Sequence, residues 1–198
     1  MNPERPQIRQ IKRAVEMLRA GAFAVLPTET TYAIVMLPDA LEAQSAVRQL
    51  RRLDDKHLWS LMVSDLSQAA QFVRMDNRAH RIVKRCLPGA YTFILPASGA
   101  LPKRVFGKRR DMGIRMPCHP VCSMLLEELG EPLLAASMQF PEDEDVAMDP
   151  DEMLVRLKHL HAVVLDAGWG GVVPTTVVDL CGDEPELVRE GMADWPLT

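Results

Sequence analysis

Apolar residues along this chain alternate between two arrangements, one with the period of a helix and one in short unbroken runs. Near the start, four apolar residues have helical spacing: Ile8, Ile11, Val15 and Leu18. Gly21 then supplies a stop signal, and the run AFAVLP at positions 22–27 predicts a buried strand. The chain is therefore predicted to begin with a helix and a strand that a glycine turn connects.

The rest of the chain repeats these two patterns. Four further helices are predicted, at residues 39–50, 76–86, 120–129 and from 149 onward. Seven further strands are predicted, at residues 59–63, 91–95, 112–116, 133–136, 162–165, 176–180 and 186–189. Because the last strands follow one another through short turns, we expect a single-domain α/β fold with a twisted mixed sheet and flanking helices. This pattern disfavours a strictly alternating doubly wound fold.

The composition supports one folded domain. With 198 residues, of which 47% are hydrophobic, the chain can bury one substantial core, which we place at residues 7–195. No apolar run approaches the ~20 residues of a membrane helix, and the first residues lack the pattern of a signal peptide. Four irregularly spaced cysteines lie in apolar segments, which is typical of reduced thiols, so we expect a cytoplasmic protein.

The net charge of −4 hides an uneven distribution of charge along the chain. Residues 48–115 carry 15 Lys or Arg against five acidic residues, whereas the rest of the chain carries eight against 22. Such a basic segment predicts a positively charged face of the kind that binds anionic ligands. The alternative is that these charges lie on separate solvated helix faces and never converge.

Sequence patterns of common catalytic and metal sites are absent from the chain. No G-x-x-x-x-G-K-[ST] or G-x-G-x-x-G phosphate loop occurs, and the glycines at 168–171 are typical of a turn. Cys118, His119 and Cys122 lack a second pair of ligands, so they predict packing and no metal site. No G-x-S-x-G elbow is present, and the five His residues indicate no hydrolytic triad.

A polar segment, PTETTYAI at positions 27–34, directly follows the first predicted strand. Hydroxyl groups and a carboxylate at a strand end are typical of the place where α/β folds bind polar ligands. The segment also fits a polar turn in which threonine side chains cap local backbone groups. Both interpretations stay open on this segment alone.

Together with four later segments, this one resembles the YrdC-like family, whose best-known members are threonylcarbamoyl-AMP synthases. Residues 27–34 are similar to the family pattern P-T-[DE]-T-x-Y-G-L. The other segments are similar to P-G-P-x-T, V-G-[VI]-R-x-P-x-H-P, P-S-T-V-V-D-L and L-R-x-G, and they stand at residues 88–92, 113–120, 174–180 and 187–191. Matches in family order across residues 27–191 make the resemblance specific.

The resemblance implies a fold and a set of ligands. The family fold is a twisted mixed sheet around a deep basic concave surface. In that surface L-threonine, bicarbonate and ATP with magnesium give threonylcarbamoyl-AMP, which serves tRNA modification. The implied threonine end consists of Thr28, Tyr32, Thr92 and Thr175. The implied nucleotide and phosphate end consists of Arg115, Ser137 and Arg189.

One departure from active synthases concerns a phosphate-binding cation. The family's Lys-x-Arg motif aligns with residues 50–52, so Leu50 stands in place of the lysine. Losing one desolvated phosphate contact costs on the order of 2–4 kcal/mol of transition-state stabilisation. Substitute cations for substrate binding would come from Arg52, Arg51 or Lys56.

A second departure concerns the family's Ser-x-Asn motif, which aligns with residues 137–139. Ser137 is kept, but Gln139 is one methylene longer than asparagine. Residues 58–62 also differ from the usual K-P-L segment. All three differences resemble the YciO branch of the family.

These observations favour a binding protein over an efficient enzyme. We expect a basic cavity that binds RNA, a nucleotide or both, with a relation to tRNA threonylcarbamoyladenosine modification. The low aromatic content of 5% favours structured or double-stranded RNA over stacked single strands. The expected RNA contacts are Lys103, Arg104, Lys108, Arg109 and Arg110. The alternative is an active threonylcarbamoyl-AMP synthase that uses ATP with magnesium and holds no tightly bound cofactor.

Overall fold

Helices and strands are interspersed through the part of the chain that a computed structural model describes, namely residues 7–54, 57, 59–102, 105 and 110–195. The helices are α1 Ile8–Arg19, α2 Leu41–Leu50, α3 Leu66–Phe72, α4 Asn77–Cys86, α5 Pro120–Leu129 and α6 Pro150–Leu157. The strands are β1 Phe23–Leu26, β2 Ala33–Met36, β3 Ser60–Met62, β4 Tyr91–Pro96, β5 Asp111–Arg115, β6 Leu133–Ser137, β7 Ala162–Val164, β8 Thr176–Asp179 and β9 Glu186–Arg189.

The strands form one nine-stranded sheet in the order β7-β1-β2-β6-β3-β5-β4-β8-β9. The pairs β1–β7, β3–β5 and β4–β8 are parallel, and the remaining neighbours are antiparallel. A mixed sheet of this kind excludes the doubly wound alternative. The predicted single-domain α/β fold with flanking helices is therefore confirmed.

Helices cover one face of the sheet more completely than the other. On the first face, α2, α3, α4 and α6 pack against alternate strand residues such as Phe93 and Ile114. On the second face, α1 and α5 pack over residues of β1, β2, β3 and β6. That second buried cluster contains no described residue of β4, β5, β8 or β9. Among the described helices, none packs on the half of the second face that these four strands form.

Local sequence signals account for the ends of several helices. The Asp76 carboxylate accepts a hydrogen bond from the Ala79 N–H at 2.7 Å and caps α4. The Asp149 carboxylate accepts from the Asp151 N–H at 2.9 Å at the start of α6. Gly130, with φ of 74°, takes the left-handed conformation that ends α5.

Three local predictions differ from the structure. Asp39 and Glu42 have the spacing of a capping box at the start of the helix predicted for residues 39–50, but the box does not form, because α2 begins at Leu41 with Ala40 at the N-cap and no side-chain cap. Strand β2 was not predicted, although its residues form an unbroken buried apolar run like that of β1. Helix α3 was not predicted either, since it is short and has a single fully buried residue, Ala69.

Within the described ranges, no helix is both long and apolar enough to cross a bilayer. All four cysteines are free thiols, of which Cys86 and Cys122 are buried and Cys118 and Cys181 are exposed. The apolar segments around the cysteines predict buried thiols, which is correct for Cys86 and Cys122 and wrong for Cys118 and Cys181.

Candidate functional site

A cleft of about 420 Å³ lies on the second face of the sheet, over β4, β5 and β8 and the adjoining parts of β3 and β6. One row of its floor crosses β6, β3, β5 and β4 through the paired residues Ala135, Ser60, Gly113 and Ile94. A second row crosses β4, β8 and β9 through the paired residues Thr92, Val177 and Arg189. Residues paired across neighbouring strands lie on the same side of a sheet, so both rows face the cleft.

Gly113 keeps the middle of this floor open. A Cβ atom at Gly113 would lie 3.1 Å from the Thr92 Cγ2 atom and 3.4 Å from the Ser60 Cβ atom. These separations are tighter than ordinary van der Waals contact, so the missing side chain leaves space between the two hydroxyl-bearing residues. The floor of the cleft is therefore open at Gly113, between the side chains of Ser60 and Thr92.

One end of the cleft combines two hydroxyl groups with a guanidinium group. The Oγ1 atoms of Thr92 and Thr175 are hydrogen-bonded at 2.8 Å. Arg189 donates from Nη2 to the Thr175 carbonyl oxygen at 2.8 Å and to its Oγ1 atom at 3.2 Å. Partial burial and the nearby charge of Arg115 lower the pKa of Arg189. This end can bind an oxyanion, because hydroxyl donors and a cation lie side by side.

Arg115 joins the cleft to the polar segment that follows β1. This residue is 6% exposed. Its Nη2 atom donates to the Thr28 Oγ1 atom at 2.7 Å, the Thr30 Oγ1 atom at 2.6 Å and the Glu29 Oε1 atom at 3.1 Å. Since one Nη2 carries two hydrogens, these acceptors share them. The segment is thus a turn in which threonine side chains bond local groups and which also holds a cleft arginine, so the turn interpretation describes it and the ligand-binding interpretation stays a prediction.

The opposite end of the cleft is lined by Arg51, His57, Trp59, Ser137, Gln139 and Val146. Burial lowers the pKa of Arg51. The pKa of His57 is lowered to about 4, first by burial and then by the charges of Arg51 and Arg48, which outweigh the opposing effect of Asp54. The His57 ring meets the Trp59 ring edge to face, with centroids 5.2 Å apart. His57 is therefore neutral near pH 7.

Two residues of the implied threonine end do not line the cleft. Tyr32 is fully buried. Its hydroxyl donates to the Gly168 carbonyl oxygen at 2.7 Å and accepts from the Ala167 N–H at 3.1 Å, and burial raises its pKa. Thr28 lies beneath Arg115 as a hydrogen-bond acceptor. The structure places Tyr32 as an anchor of the loop at 167–168 and Thr28 as a support for Arg115.

The substitute cations named from the sequence are placed differently from one another. Arg51 lines the cleft, whereas Arg52 does not and instead pairs with Glu142 at 2.7 Å on the exposed surface. Lys56 lies outside the described residues. The expected RNA contacts Lys103, Arg104, Lys108 and Arg109 also lie outside them, and Arg110 is exposed.

The positive charges of the basic segment divide between two surfaces. Arg51 and Arg115 line the cleft. Arg81, Lys84 and Arg85 are exposed on α4, which packs on the opposite face of the sheet. The two alternatives drawn from the charge count each describe part of the molecule: some cations converge, and others lie on a solvated helix face.

The cysteine and histidine residues near α5 have structural partners. The His119 Nδ1 atom accepts from the Val121 N–H at 3.2 Å, at the start of α5. The Cys122 thiol donates to the Pro27 carbonyl oxygen at 3.1 Å, and burial raises its pKa to about 12. In the part of the chain that the structure describes, no group of three or more His, Cys, Asp or Glu residues is arranged to hold a metal ion.

Several cleft residues were not singled out as site residues from the sequence: His57, Trp59, Ser60, Ile94 and Val177. For the strand residues a signal was available. In β4, buried residues alternate with the half-buried Thr92 and Ile94, so Ile94 follows from Thr92 by the period of two. His57 and Trp59 had no such signal, because they precede β3 in irregular chain.

Comparison with known proteins finds relatives that belong to one protein family. The family model Sua5_yciO_yrdC, described as "Telomere recombination", matches residues 16–191. YciO of Escherichia coli is 39% identical over 98% of this chain and 95% of its own length. A threonylcarbamoyl-AMP synthase of Stenotrophomonas maltophilia is 31% identical over 84% of this chain and 91% of its own.

Solved structures agree with the sequence matches. The crystal structure of Escherichia coli YciO superposes with a TM-score of 0.93 at 38% identity, over 99% of this chain and 96% of that one. Sua5 of P. abyssi, in complex with L-threonine, superposes with a TM-score of 0.85 at 23% identity, over 94% of this chain and 55% of that one. The second likeness concerns the fold alone.

Proposed function

The chain belongs to the Sua5/YciO/YrdC family, and on that premise we propose that its cleft binds a nucleoside triphosphate together with L-threonine. The observation that supports this most is the convergence of three guanidinium groups, those of Arg51, Arg115 and Arg189, on one cleft. Arg115 is partly neutralised by Glu29 at 3.1 Å, whereas Arg51 and Arg189 have no ion pair with any described residue. Such a cleft favours a polyanionic ligand.

The two ends of the cleft suit different parts of these ligands. Arg189 and the hydroxyls of Thr92 and Thr175 suit the carboxylate and hydroxyl of threonine. Ile94 and Val177 on the same floor offer apolar contact to its methyl group. Arg51 at the far end suits phosphate oxygens. The complex of the distant relative Sua5 with L-threonine supports the choice of amino acid.

An active threonylcarbamoyl-AMP synthase is the alternative, supported by relatives of that name. In that reaction the threonine nitrogen attacks bicarbonate and water leaves, which gives a carbamate. A carbamate oxygen then attacks the α-phosphorus of ATP, and pyrophosphate leaves with its bonding electrons. Magnesium arrives on the phosphates of ATP. The side chains of the cleft would position and neutralise the reactants, since no side-chain nucleophile is needed.

Measurement of pyrophosphate release distinguishes a cleft that only binds its ligands from an active synthase. The protein is mixed with L-threonine, bicarbonate, ATP and magnesium, and release is followed with and without threonine. Threonine-dependent release supports the synthase. Its absence, together with ATP binding by calorimetry, leaves the binding function and rejects the synthase. Absence of both release and binding rejects the proposal as a whole.

RNA is a second candidate ligand, supported by the exposed cations on α4 and by Arg74 and Arg110. Arg74 and Arg110 lie together, because the Arg74 N–H donates to the Pro96 carbonyl and the Ala97 N–H donates to the Arg110 carbonyl, each at 2.7 Å. This surface suits the phosphate backbone of structured RNA, since contacts of this kind carry no demand for base stacking. It lies apart from the cleft.

Affinity for double-stranded RNA measured at several salt concentrations tests this second candidate. The combined Arg81→Ala, Lys84→Ala and Arg85→Ala variant should weaken binding and reduce the salt slope by about three. Arg109→Ala with Arg110→Ala should also weaken it. Arg51→Ala, in the cleft, should leave it unchanged. A flat salt dependence of the wild-type protein would contradict RNA binding.

A further inference from the structure

The side chains of Arg51 and Arg52, directly after α2, point in different directions. Arg52 has a φ of 48°, a left-handed conformation that glycine usually adopts at this position after a helix. The turn closes when the Leu53 N–H donates to the Arg48 carbonyl oxygen at 2.9 Å. As a result Arg51 lines the cleft while the Arg52 guanidinium meets Glu142 outside it.

Gln139 is the described residue that contacts the Arg51 guanidinium by a hydrogen bond. Its Nε2 atom donates to the Glu144 carbonyl oxygen at 3.3 Å. Because that carbonyl can only accept, the amide is oriented with Oε1 toward Arg51, whose Nη2 atom donates to it at 3.4 Å. At 3.4 Å the bond to Arg51 is long and therefore weak, so it leaves the donors of the guanidinium largely available to a ligand.

The acidic segment, residues 141–145, is itself held from two sides. Arg156 donates from Nη1 to the Asp143 Oδ2 atom at 2.7 Å, and its guanidinium lies 3.4 Å from the centroid of the Phe140 ring. Arg52 binds Glu142 from the other side. Glu144, and through it Gln139, therefore has a fixed position beside the cleft.

Arg51 keeps an uncompensated positive charge. Within the described ranges it has no ion pair, and its hydrogen-bond partner is a neutral amide. Its neighbour His57 is neutral near pH 7, because burial and the arginine charges lower the pKa of His57 to about 4. A half-buried cation without a counter-ion costs folding free energy, and an anionic ligand would offset that cost.

We propose that Gln139 is a positioning residue that holds Arg51 toward the cleft, where Arg51 binds an oxyanion of the ligand's phosphate chain. This inference rests on the proposed function, since it assumes that a phosphate-bearing ligand enters the cleft. Leu50 and Gln139, which depart from the family pattern, then belong to one rearranged subsite. The Arg51 guanidinium, one position later, takes the place of the lysine ammonium that is missing at Leu50. The side chain of Gln139, longer than that of asparagine, reaches this guanidinium.

Calorimetric titration with magnesium pyrophosphate tests the role of Arg51. Arg51→Ala should weaken binding roughly tenfold or more, the loss expected for one charge-assisted contact, and Arg51→Lys should weaken it less. Arg9→Ala, which removes an equal charge from the exposed face of α1, is the matched control and should leave affinity unchanged. Unfolding midpoints of all variants establish that they are folded.

A double-mutant cycle tests the role of Gln139. Gln139→Met keeps the length of the side chain and removes both hydrogen bonds, so it should lower affinity by several-fold. If Gln139 acts through Arg51, the double variant with Arg51→Ala should bind no more weakly than Arg51→Ala alone. Additive losses would show that Gln139 has an independent role and would overturn its assignment as a positioning residue.

The failure of this inference can be told apart from failure of the proposed function. If the wild-type protein binds pyrophosphate or ATP and Arg51→Ala binds as well as Arg9→Ala, the subsite is rejected and the proposed function stands. If the wild-type protein binds neither pyrophosphate, ATP nor L-threonine, both are rejected.

Discussion

At the scale of single residues, the depth of the cleft depends on a missing side chain. Gly113→Ala places a methyl group 3.1 Å from the Thr92 Cγ2 atom, on the floor between β3 and β4. We expect the affinity for ATP and L-threonine to fall roughly tenfold, since crowding of a packed site costs about 1–3 kcal/mol. Calorimetry on the folded variant measures this loss.

The matched control for that substitution is Gly182→Ala. A Cβ atom there would meet its nearest neighbour, the Glu184 carbonyl oxygen, at an ordinary distance of 3.8 Å on the exposed surface. Its affinities should equal those of the wild-type protein. If both alanine variants bind equally well, the ligand does not lie on the floor at Gly113.

His57 gives the protein a defined pH dependence of stability. Its pKa is about 4 in the folded chain and 6.5 in an unfolded one, so the unfolded state binds the proton more readily. The stability that neutral His57 contributes is complete above pH 6.5 and is lost as pH falls toward 4. His57→Asn should flatten the slope of unfolding free energy in this window, as measured by urea denaturation. An unchanged slope would contradict the burial of this imidazole.

Residues of the family motifs were only partly predictable as cleft residues, since Thr28 and Tyr32 belong to a motif but do not line the cleft. Thr92, Arg115, Ser137, Thr175 and Arg189 all line the cleft, as the resemblance implies. The choice between Arg51 and Arg52 was not predictable, because it depends on the left-handed backbone at Arg52. A non-glycine residue with positive φ leaves no mark in the sequence.

At the scale of elements, the hydrogen bonds at helix N-termini show which of the capping signals in the sequence form a cap. Asp76 caps α4 through the Ala79 N–H at 2.7 Å, whereas α2 has no side-chain cap although Asp39 and Glu42 have the spacing of one. Asp76→Ala should lower the unfolding free energy by about 1 kcal/mol. Asp39→Ala should change it by less than about 0.5 kcal/mol. Equal losses in urea titrations would contradict this distinction.

The elements that the sequence missed share a physical cause. Strand β2 is buried on both faces and therefore shows no alternation, and its first residues belong to the segment at 27–34 that was interpreted as a polar turn or ligand site. Helix α3 has seven residues, too few for a helical period to be read. Longer helices with a stripe of buried residues, such as α1 and α5, were predicted because the period of 3.6 repeats several times.

At the scale of the whole molecule, sheet topology decides which charges meet. Arg189 near the end of the chain reaches the cleft because β9 lies beside β8 at one edge of the sheet. The cations of α4 lie on the other face, although they belong to the same basic stretch of sequence. A count of charges along the chain predicts one basic surface. The strand order instead distributes the cations over two surfaces, the cleft and the exposed side of α4.

The proposed function places a nucleotide and L-threonine together in the cleft over β6, β3, β5, β4 and β8. Amide chemical-shift mapping during titration with magnesium ATP and then L-threonine tests it most directly. We predict that the largest shifts fall on the two floor rows, around Ser60, Gly113, Thr92 and Val177, and that the second ligand extends the same patch. Binding in the cleft would be contradicted if saturating concentrations of both ligands shifted the amide signals of none of these residues. It would also be contradicted if they shifted those of α4 instead.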